Sequence, residues 1–172
     1  ILIIKRPTLQ FTSILLLILC LVNYLSANEN NIVNVTLQTS IGDIHVELYS
    51  EKAPITVANF LRYTDGGYFD NTSFYRTVRY DNDNGSPKIE VIQGGIGEGE
   101  RPYPMIKHET TKLSGLKHLD GMLSMSRGSV DTATSDFFIC IGDHFGLDYG
   151  ASRNSDGKGF AAFGRVTSGM DI

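Results

Sequence analysis

Residues 33–48 read VNVTLQTSIGDIHVEL, and their alternation of apolar and polar residues is the clearest structural signal in the chain. Val33–Leu37 and Ile44–Leu48 each alternate with a period of two, and Gly42-Asp43 supplies turn chemistry just before the second run. This pattern predicts a β-hairpin that buries one face. His45 falls on the polar side of the second run, so we expect it at the surface.

One helix and five further strands are predicted beyond this hairpin. Pro54 can open a helix, and apolar residues recur at helical spacing until Gly66-Gly67 ends it. Many short strands, with no repeat and no regular alternation of strand and helix, predict a mainly β fold, a closed antiparallel barrel. The strand candidates are Ser73–Val78, Ile89–Gln93, Met122–Ser126, Asp136–Ile141 and Phe160–Val166.

The length and charge of the chain indicate a single domain that does not bind nucleic acid. The 172 residues carry a formal net charge of −4 and no basic run, whereas nucleic-acid-binding domains carry clustered Lys and Arg. Residues 1–27 resemble a signal peptide, because two basic residues precede the apolar run Phe11–Val22 and small residues follow it. A retained signal anchor is the alternative. We therefore expect residues 32–172 to form one extracytoplasmic, monomeric domain without stable membrane association.

Two motifs that could indicate catalysis are not supported by their context. Gln93–Gly99 is rich in glycine but lacks the Lys-Ser/Thr ending of a phosphate loop, so we expect a turn there. Ser124, Ser126 and Ser129 do not stand in the Gly-x-Ser-x-Gly context that presents a hydrolase nucleophile. Neither a phosphate-binding loop nor a hydrolase triad is predicted.

The histidines and the cysteine of the main domain give no metal site. His108, His118 and His144 do not fall at the close spacings of a metal site, and we interpret them as solvated loop histidines. Cys140 lies in the apolar run Phe137–Ile141, which predicts a buried apolar residue rather than a nucleophile. No metal and no other cofactor is expected.

Six short segments follow one another in a fixed order: APITVANFL (53–61), SFYR (73–76), VIQGG (91–95), GMLSM (121–125), SDFFI (135–139) and FGRV (163–166). Together they resemble the cyclophilin family of peptidyl-prolyl cis/trans isomerases, and the likeness runs from about Val33 to the last residue. The resemblance implies a closed eight-stranded antiparallel β-barrel capped by two helices. In that family the second helix and the last strand follow the equivalent of Gly169–Ile172, so we expect both to be missing here.

The resemblance implies that Arg76 carries catalysis and that Gln93 steadies its guanidinium and bonds the substrate carbonyl. Rotation of an Xaa-Pro bond is opposed by the loss of amide resonance. In the twisted state the proline nitrogen becomes pyramidal and can accept a hydrogen bond, which a permanently charged arginine can donate. The alternative is that Arg76 is an ordinary exposed strand residue.

The resemblance also implies a substrate groove for proline-containing polypeptides. Three apolar residues would hold the proline ring, the backbone of a loop would bind the substrate main chain, and three positions that depart from the usual family residues would border the groove. These residues are Phe138, Val91 and Leu147; Ser126, Arg127 and Gly128; and Asp136, Phe160 and Phe145. The apolar ones could equally be ordinary core residues.

The departures from the family pattern lie beside this groove. Glu90 and Asp136 stand where the family usually has uncharged residues, and their charge predicts a preference for basic residues next to the proline. Insertions at 80–87 and 149–156 lengthen two loops. Two other classes of function stay open: a non-catalytic cyclophilin-like peptide-binding module, and an unrelated secreted β-barrel that carries an apolar ligand.

Overall fold

A computed structural model describes residues 32–172, so the signal peptide predicted at residues 1–27 lies outside the described residues. Within residues 32–172, no helix is both long and apolar enough to cross a bilayer. The helices are α1 (Pro54–Asp65) and α2 (Thr111–Ser114), and Phe145–Leu147 forms a 3₁₀ turn. The strands are β1 (Ile32–Thr39), β2 (Gly42–Tyr49), β3 (Ser73–Val78), β4 (Val91–Gly95), β5 (Met122–Met125), β6 (Phe137–Cys140) and β7 (Ala161–Ser168).

The seven strands form one curled antiparallel sheet in the order β1-β2-β7-β5-β6-β4-β3. The mainly β antiparallel architecture predicted from the sequence is therefore confirmed. Its two edge strands, β1 and β3, do not pair with each other, so the sheet of residues 32–172 is not a closed barrel. An apolar groove of about 990 Å³ lies between these edges and is lined by Val35, Leu37, Phe74, Ile92 and Phe137, among others.

The hairpin of β1 and β2 forms as its alternation predicts. The two strands pair without a break from Ile32 opposite Tyr49 to Thr39 opposite Gly42. Ile44, Val46 and Leu48 are buried, and His45 between them is exposed. The prediction of a surface histidine is confirmed, because successive side chains of a strand point to opposite faces.

Helix α1 begins at Pro54, as predicted, but its start is stabilised by a residue far along the chain. Glu109 is buried and accepts three hydrogen bonds: from the backbone N–H of Ile55 (3.1 Å), the backbone N–H of Thr56 (2.8 Å) and the Thr56 hydroxyl (2.7 Å). The first N–H groups of a helix have no partner inside the helix, and a carboxylate is the acceptor that suits them.

The core consists of two clusters of buried side chains. In the first, the fully buried Phe60 of α1 packs against Phe137 and Phe163, with ring centroids 5.3 and 5.4 Å away. The second cluster lies around β4, β5 and β6 and includes Phe138 and Cys140. Cys140 is fully buried, and burial raises the pKa of its thiol to about 12, so the prediction of an unreactive apolar residue is confirmed.

Candidate active site

Arg76 and Gln93 lie opposite each other on the paired strands β3 and β4. Arg76 donates a hydrogen bond from Nη1 to Oε1 of Gln93 over 3.0 Å. Arg76 is exposed and Gln93 is half-buried, so the guanidinium stands at the surface with one of its N–H groups held by the amide. The structure thus brings together the two residues to which the resemblance assigns catalysis. Their catalytic roles stay predictions.

A β-bulge turns Tyr75 toward the same amide. The pairing of β3 with β4 shifts between Phe74 and Arg76, which leaves Tyr75 as the extra residue. Strand alternation would place Tyr75 and Arg76 on opposite faces, but a bulge re-aims a side chain. Gln93 Nε2 donates to the Tyr75 hydroxyl over 2.7 Å and lies 3.3 Å from Oγ of Ser126. Sequence reasoning missed Tyr75, because nothing in the local pattern indicates the bulge.

An apolar floor lies next to Gln93. Phe138 is the partner of Gln93 on β6, so the two side chains share one face of the sheet. Phe138 and Val91 are almost fully buried, and Phe138 meets the half-buried Phe160 edge to face at 5.3 Å. Leu147 has no exposed surface and belongs to the same buried cluster as Phe138 and Val91; its contact with the proline ring stays a prediction. Phe145, two residues earlier, is exposed.

Arg127 directs its side chain into the protein. Only 1% of the side chain is exposed; its guanidinium forms two hydrogen bonds to Asp156 at 2.7 and 2.9 Å and donates from Nε to the Gly159 carbonyl at 2.9 Å. These bonds from Arg127 lower the pKa of Asp156 to about 2. The loop of Ser126, Arg127 and Gly128 can therefore offer its backbone to a substrate, but not the Arg127 guanidinium.

Asp136 is already paired with a positive charge. Its Oδ1 accepts the backbone N–H of Gly97 at 3.0 Å, and its Oδ2 lies 2.9 Å from a guanidinium nitrogen of Arg101. Gly95 permits this approach: its φ is +128°, and an added Cβ would lie 2.6 Å from Asp136 Oδ1. Because Arg101 compensates the charge, Asp136 does not support the predicted preference for basic substrates.

A family model for cyclophilin type peptidyl-prolyl cis-trans isomerase/CLD matches residues 34–172. The chain belongs to the cyclophilin family. The function predicted from the sequence, isomerisation of Xaa-Pro bonds, is the function of this family. Membership excludes the alternative of an unrelated β-barrel carrier.

Named relatives and a solved structure agree with the family. The cyclophilin is 36% identical over 143 residues to peptidyl-prolyl cis-trans isomerase A of Dickeya dadantii, covering 81% of this chain and 68% of the relative. It is 36% identical over 146 residues to isomerase B of Escherichia coli, covering 80% of each. A Cryptosporidium parvum cyclophilin, crystallised in the presence of the dipeptide Ala-Pro, superimposes with a TM-score of 0.64 at 25% identity and covers 81% of both chains.

The two insertions of this cyclophilin are joined by a buried ion pair. Arg153 of the second insertion forms two hydrogen bonds, each 2.8 Å long, to the carboxylate of Asp83 in the first insertion, and a third to the Pro87 carbonyl at 2.9 Å. These bonds from Arg153 hold the pKa of Asp83 well below its usual value. Arg76 and both members of this pair line a polar cavity of about 420 Å³. The sequence shows both insertions but not their contact.

The prediction of solvated loop histidines is wrong for His118 and His144, which are both buried. His118 Nδ1 lies 2.8 Å from Asp148 and its Nε2 lies 2.9 Å from the Ser124 hydroxyl. Burial lowers the pKa of His118, so the neutral ring donates to the carboxylate and accepts from the hydroxyl. Buried polar groups need hydrogen-bond partners, and Asp148 and Ser124 are the partners of the two ring nitrogens of His118. His108 is half-buried.

Ser124, His118 and Asp148 are hydrogen-bonded to one another in the same way as the residues of a hydrolase triad, but they do not form a hydrolase site. Ser124 and His118 are both fully buried, so no substrate can reach the hydroxyl. Within residues 32–172 no three potential ligands gather in a way that could hold a metal ion. The three residues instead form a polar network in the core behind Phe138, whose ring lies parallel to the His118 ring within 17°.

Proposed function

We propose that this cyclophilin catalyses cis/trans isomerisation of Xaa-Pro bonds in polypeptides and that Arg76 is the catalytic residue. The observation that carries the proposal is the exposed Arg76 guanidinium held by Gln93 on the strand that borders the apolar floor around Phe138. The names of the relatives, and the crystallisation of the Cryptosporidium parvum cyclophilin in the presence of the dipeptide Ala-Pro, support proline-containing polypeptides as the ligand.

The reaction requires little chemistry beyond one well-placed donor. Rotation about the bond faces a barrier of about 20 kcal/mol, because the planar amide loses its resonance on the way. The proline nitrogen can accept a hydrogen bond only when the bond is twisted. A guanidinium N–H directed at that nitrogen therefore stabilises the transition state more than the bound substrate, which is the condition for catalysis.

Each neighbour of Arg76 has a distinct part in this proposal. Gln93 Oε1 accepts one N–H of the guanidinium and so leaves others free for the substrate. Phe138 and Phe160 provide the apolar surface for the proline ring. The backbone of the loop from Ser126 to Gly128 pairs with the substrate main chain. No covalent bond is made or broken, so the groups need only bind, orient and exclude water.

The cellular role proposed here is assistance to protein folding outside the cytoplasm. Slow isomerisation of Xaa-Pro bonds limits the folding of many chains, so an isomerase that accepts polypeptides accelerates that step. Support for the location is the pattern of residues 1–27 alone, in which basic residues precede an apolar run. We propose that the isomerase acts as a monomer.

The experiment that tests the function compares Arg76→Ala with Arg79→Ala in an isomerisation assay on a short Xaa-Pro peptide. Arg79 is a matched control, since it is also an exposed arginine and its guanidinium pairs with the exposed Asp81 and with no other residue of the described part of the chain. We expect Arg76→Ala to lower kcat/KM by about 100-fold or more, because loss of one transition-state donor has effects of this size, and Arg79→Ala to change it less than about twofold.

Two results would overturn the proposal. A wild-type protein that binds proline peptides without accelerating exchange between their isomers would be the non-catalytic binding module. Equal activity of the wild-type and Arg76→Ala proteins would place the catalytic group elsewhere. Two-dimensional exchange NMR on the same peptide reads binding and isomerisation together, so it separates these outcomes.

A further inference from the structure

A line of hydrogen bonds runs from Arg76 through Gln93 to Tyr75. Arg76 donates to Gln93 Oε1 (3.0 Å), and Gln93 Nε2 donates to the Tyr75 hydroxyl (2.7 Å). Asp136 forms a separate ion pair with Arg101 at 2.9 Å. Burial, and next the negative charge of Asp136, raise the pKa of Tyr75.

The order of donors and acceptors along this line fixes the Gln93 amide. An amide has an accepting oxygen and a donating nitrogen at nearly the same distance from the chain, and only one orientation presents the oxygen to Arg76. The Tyr75 hydroxyl accepts from Nε2 on the other side of the amide. If the amide flipped, its nitrogen would face the guanidinium, and two donors would oppose each other.

Asp136 is itself held in one place. The Gly97 N–H binds one of its oxygens and Arg101 the other, and Gly95 leaves room for it because it has no Cβ. The other partner of Gln93 Nε2 is Ser126 Oγ at 3.3 Å, a longer and weaker contact than the 2.7 Å bond to Tyr75. The phenol is therefore the main partner of the amide nitrogen, as Arg76 is of the amide oxygen.

We propose that Tyr75 is a positioning residue for isomerisation: its hydroxyl orients the Gln93 amide, and the amide directs the Arg76 guanidinium. This inference rests on the proposed function of Arg76 and adds a residue whose action passes through Gln93. Tyr75 is 44% exposed, so a direct contact with substrate is the competing role. The two roles differ in their kinetics.

The test is a double-mutant cycle of Tyr75→Phe with Gln93→Ala, measured by peptide isomerisation. We expect Tyr75→Phe alone to lower kcat by about three- to tenfold, the effect of one hydrogen bond, and to leave KM within about twofold. In the Gln93→Ala background it has no further effect, because the residue through which it acts is gone. Tyr80→Phe is the control, since Tyr80 is also exposed and none of the described hydrogen bonds uses its hydroxyl.

A second measurement does not depend on activity. The Arg76 Nε–H signal in a ¹⁵N NMR spectrum reports the order of the guanidinium, and we expect it to broaden or shift in Tyr75→Phe but not in Tyr80→Phe. An unchanged signal, an equal loss of kcat in the Gln93→Ala background, or a rise in KM with kcat intact would overturn the inference. An inactive wild-type protein would refute the proposed function, while the Arg76 signal would still decide the role of Tyr75.

Discussion

Replacement of Asp83 by asparagine tests how strongly the two insertions of this cyclophilin are joined. The Asp83 carboxylate accepts two bonds from Arg153 and one each from the backbone N–H groups of Gly85 and Ile89, both at 2.9 Å. Only 3% of the Asp83 side chain and 13% of the Arg153 side chain are exposed. Asparagine has the same shape but no charge, and its NH₂ group would face donors.

The expected loss of stability is about 2 kcal/mol. Removing one partner of a deeply buried ion pair costs about 3–5 kcal/mol, whereas exposed pairs contribute about 0–1 kcal/mol. Asp83 lies between the two exposed residues Asn82 and Asn84, so its pair sits just below the surface and the value falls between these limits. For a domain of this size the corresponding fall in Tm is roughly 8 °C.

The assay is thermal or urea unfolding, with Asp81→Asn as the control. Asp81 pairs with Arg79 in the same insertion, but the two side chains are 69% and 61% exposed, so we expect a change below about 0.5 kcal/mol. If Asp83→Asn and Asp81→Asn unfolded at the same temperature, the contact between the insertions would not stabilise the domain, and the argument from burial would be refuted.

The dependence of this effect on pH has a definite sign. The folded-state pKa of Asp83 lies below its unfolded value, so the stabilisation is complete above the unfolded pKa of about 4 and declines as the pH falls toward the folded pKa. The difference in stability between wild type and Asp83→Asn should therefore be constant from pH 7 to about pH 5 and narrow below about pH 4.

Three further predictions follow from buried polar groups. Glu109→Gln should lower the free energy of unfolding by about 2 kcal/mol, because an amide cannot accept all three bonds at the start of α1; urea unfolding measures it. Burial lowers the pKa of His118 and of His108, so the urea midpoint of unfolding should fall as the pH drops below about 6.5. His118→Gln should make this pH dependence less steep; an unchanged dependence would assign it to His108 alone. A thiol reagent should modify Cys140 only in urea, as mass spectrometry of its peptide would show; labelling of the native protein would contradict its burial.

Elements with a local pattern were predictable from the sequence. The β1–β2 hairpin and helix α1 follow from alternation, helical spacing, Pro54 and Gly66-Gly67, all of which are visible in short windows. Strand β4 was predicted two residues too early. Ile89 is outside it because its N–H binds Asp83, and two glycines that were assigned to a turn instead pair with neighbouring strands.

Partners that lie far apart along the chain were not predictable. His118 meets Asp148, Glu109 meets the start of α1, and Asp83 meets Arg153 only after the sheet has formed. No local spacing indicates such a contact. For the same reason the sequence could not show that the Arg127 side chain turns inward to Asp156, or that His118 is buried.

The candidate site was predictable only in part. The pairing of Arg76 with Gln93 and the apolar floor around Phe138 came from the family resemblance, because exposed arginines and buried phenylalanines are too common to indicate a site. Tyr75 was missed because its position depends on a bulge. The pairing of Asp136 with Arg101 was missed because the two residues are 35 positions apart in the sequence.

The inward-turned Arg127 has a consequence for protein engineering. The bonds from its guanidinium to the Asp156 carboxylate tie the loop of residues 126–128 to the 149–156 insertion. Arg153 ties that insertion in turn to the 80–87 insertion. A chimera that exchanged one of these segments with a shorter homologous loop would leave an ion without its counter-charge in the interior. The three segments are therefore best transplanted together, as a single cassette.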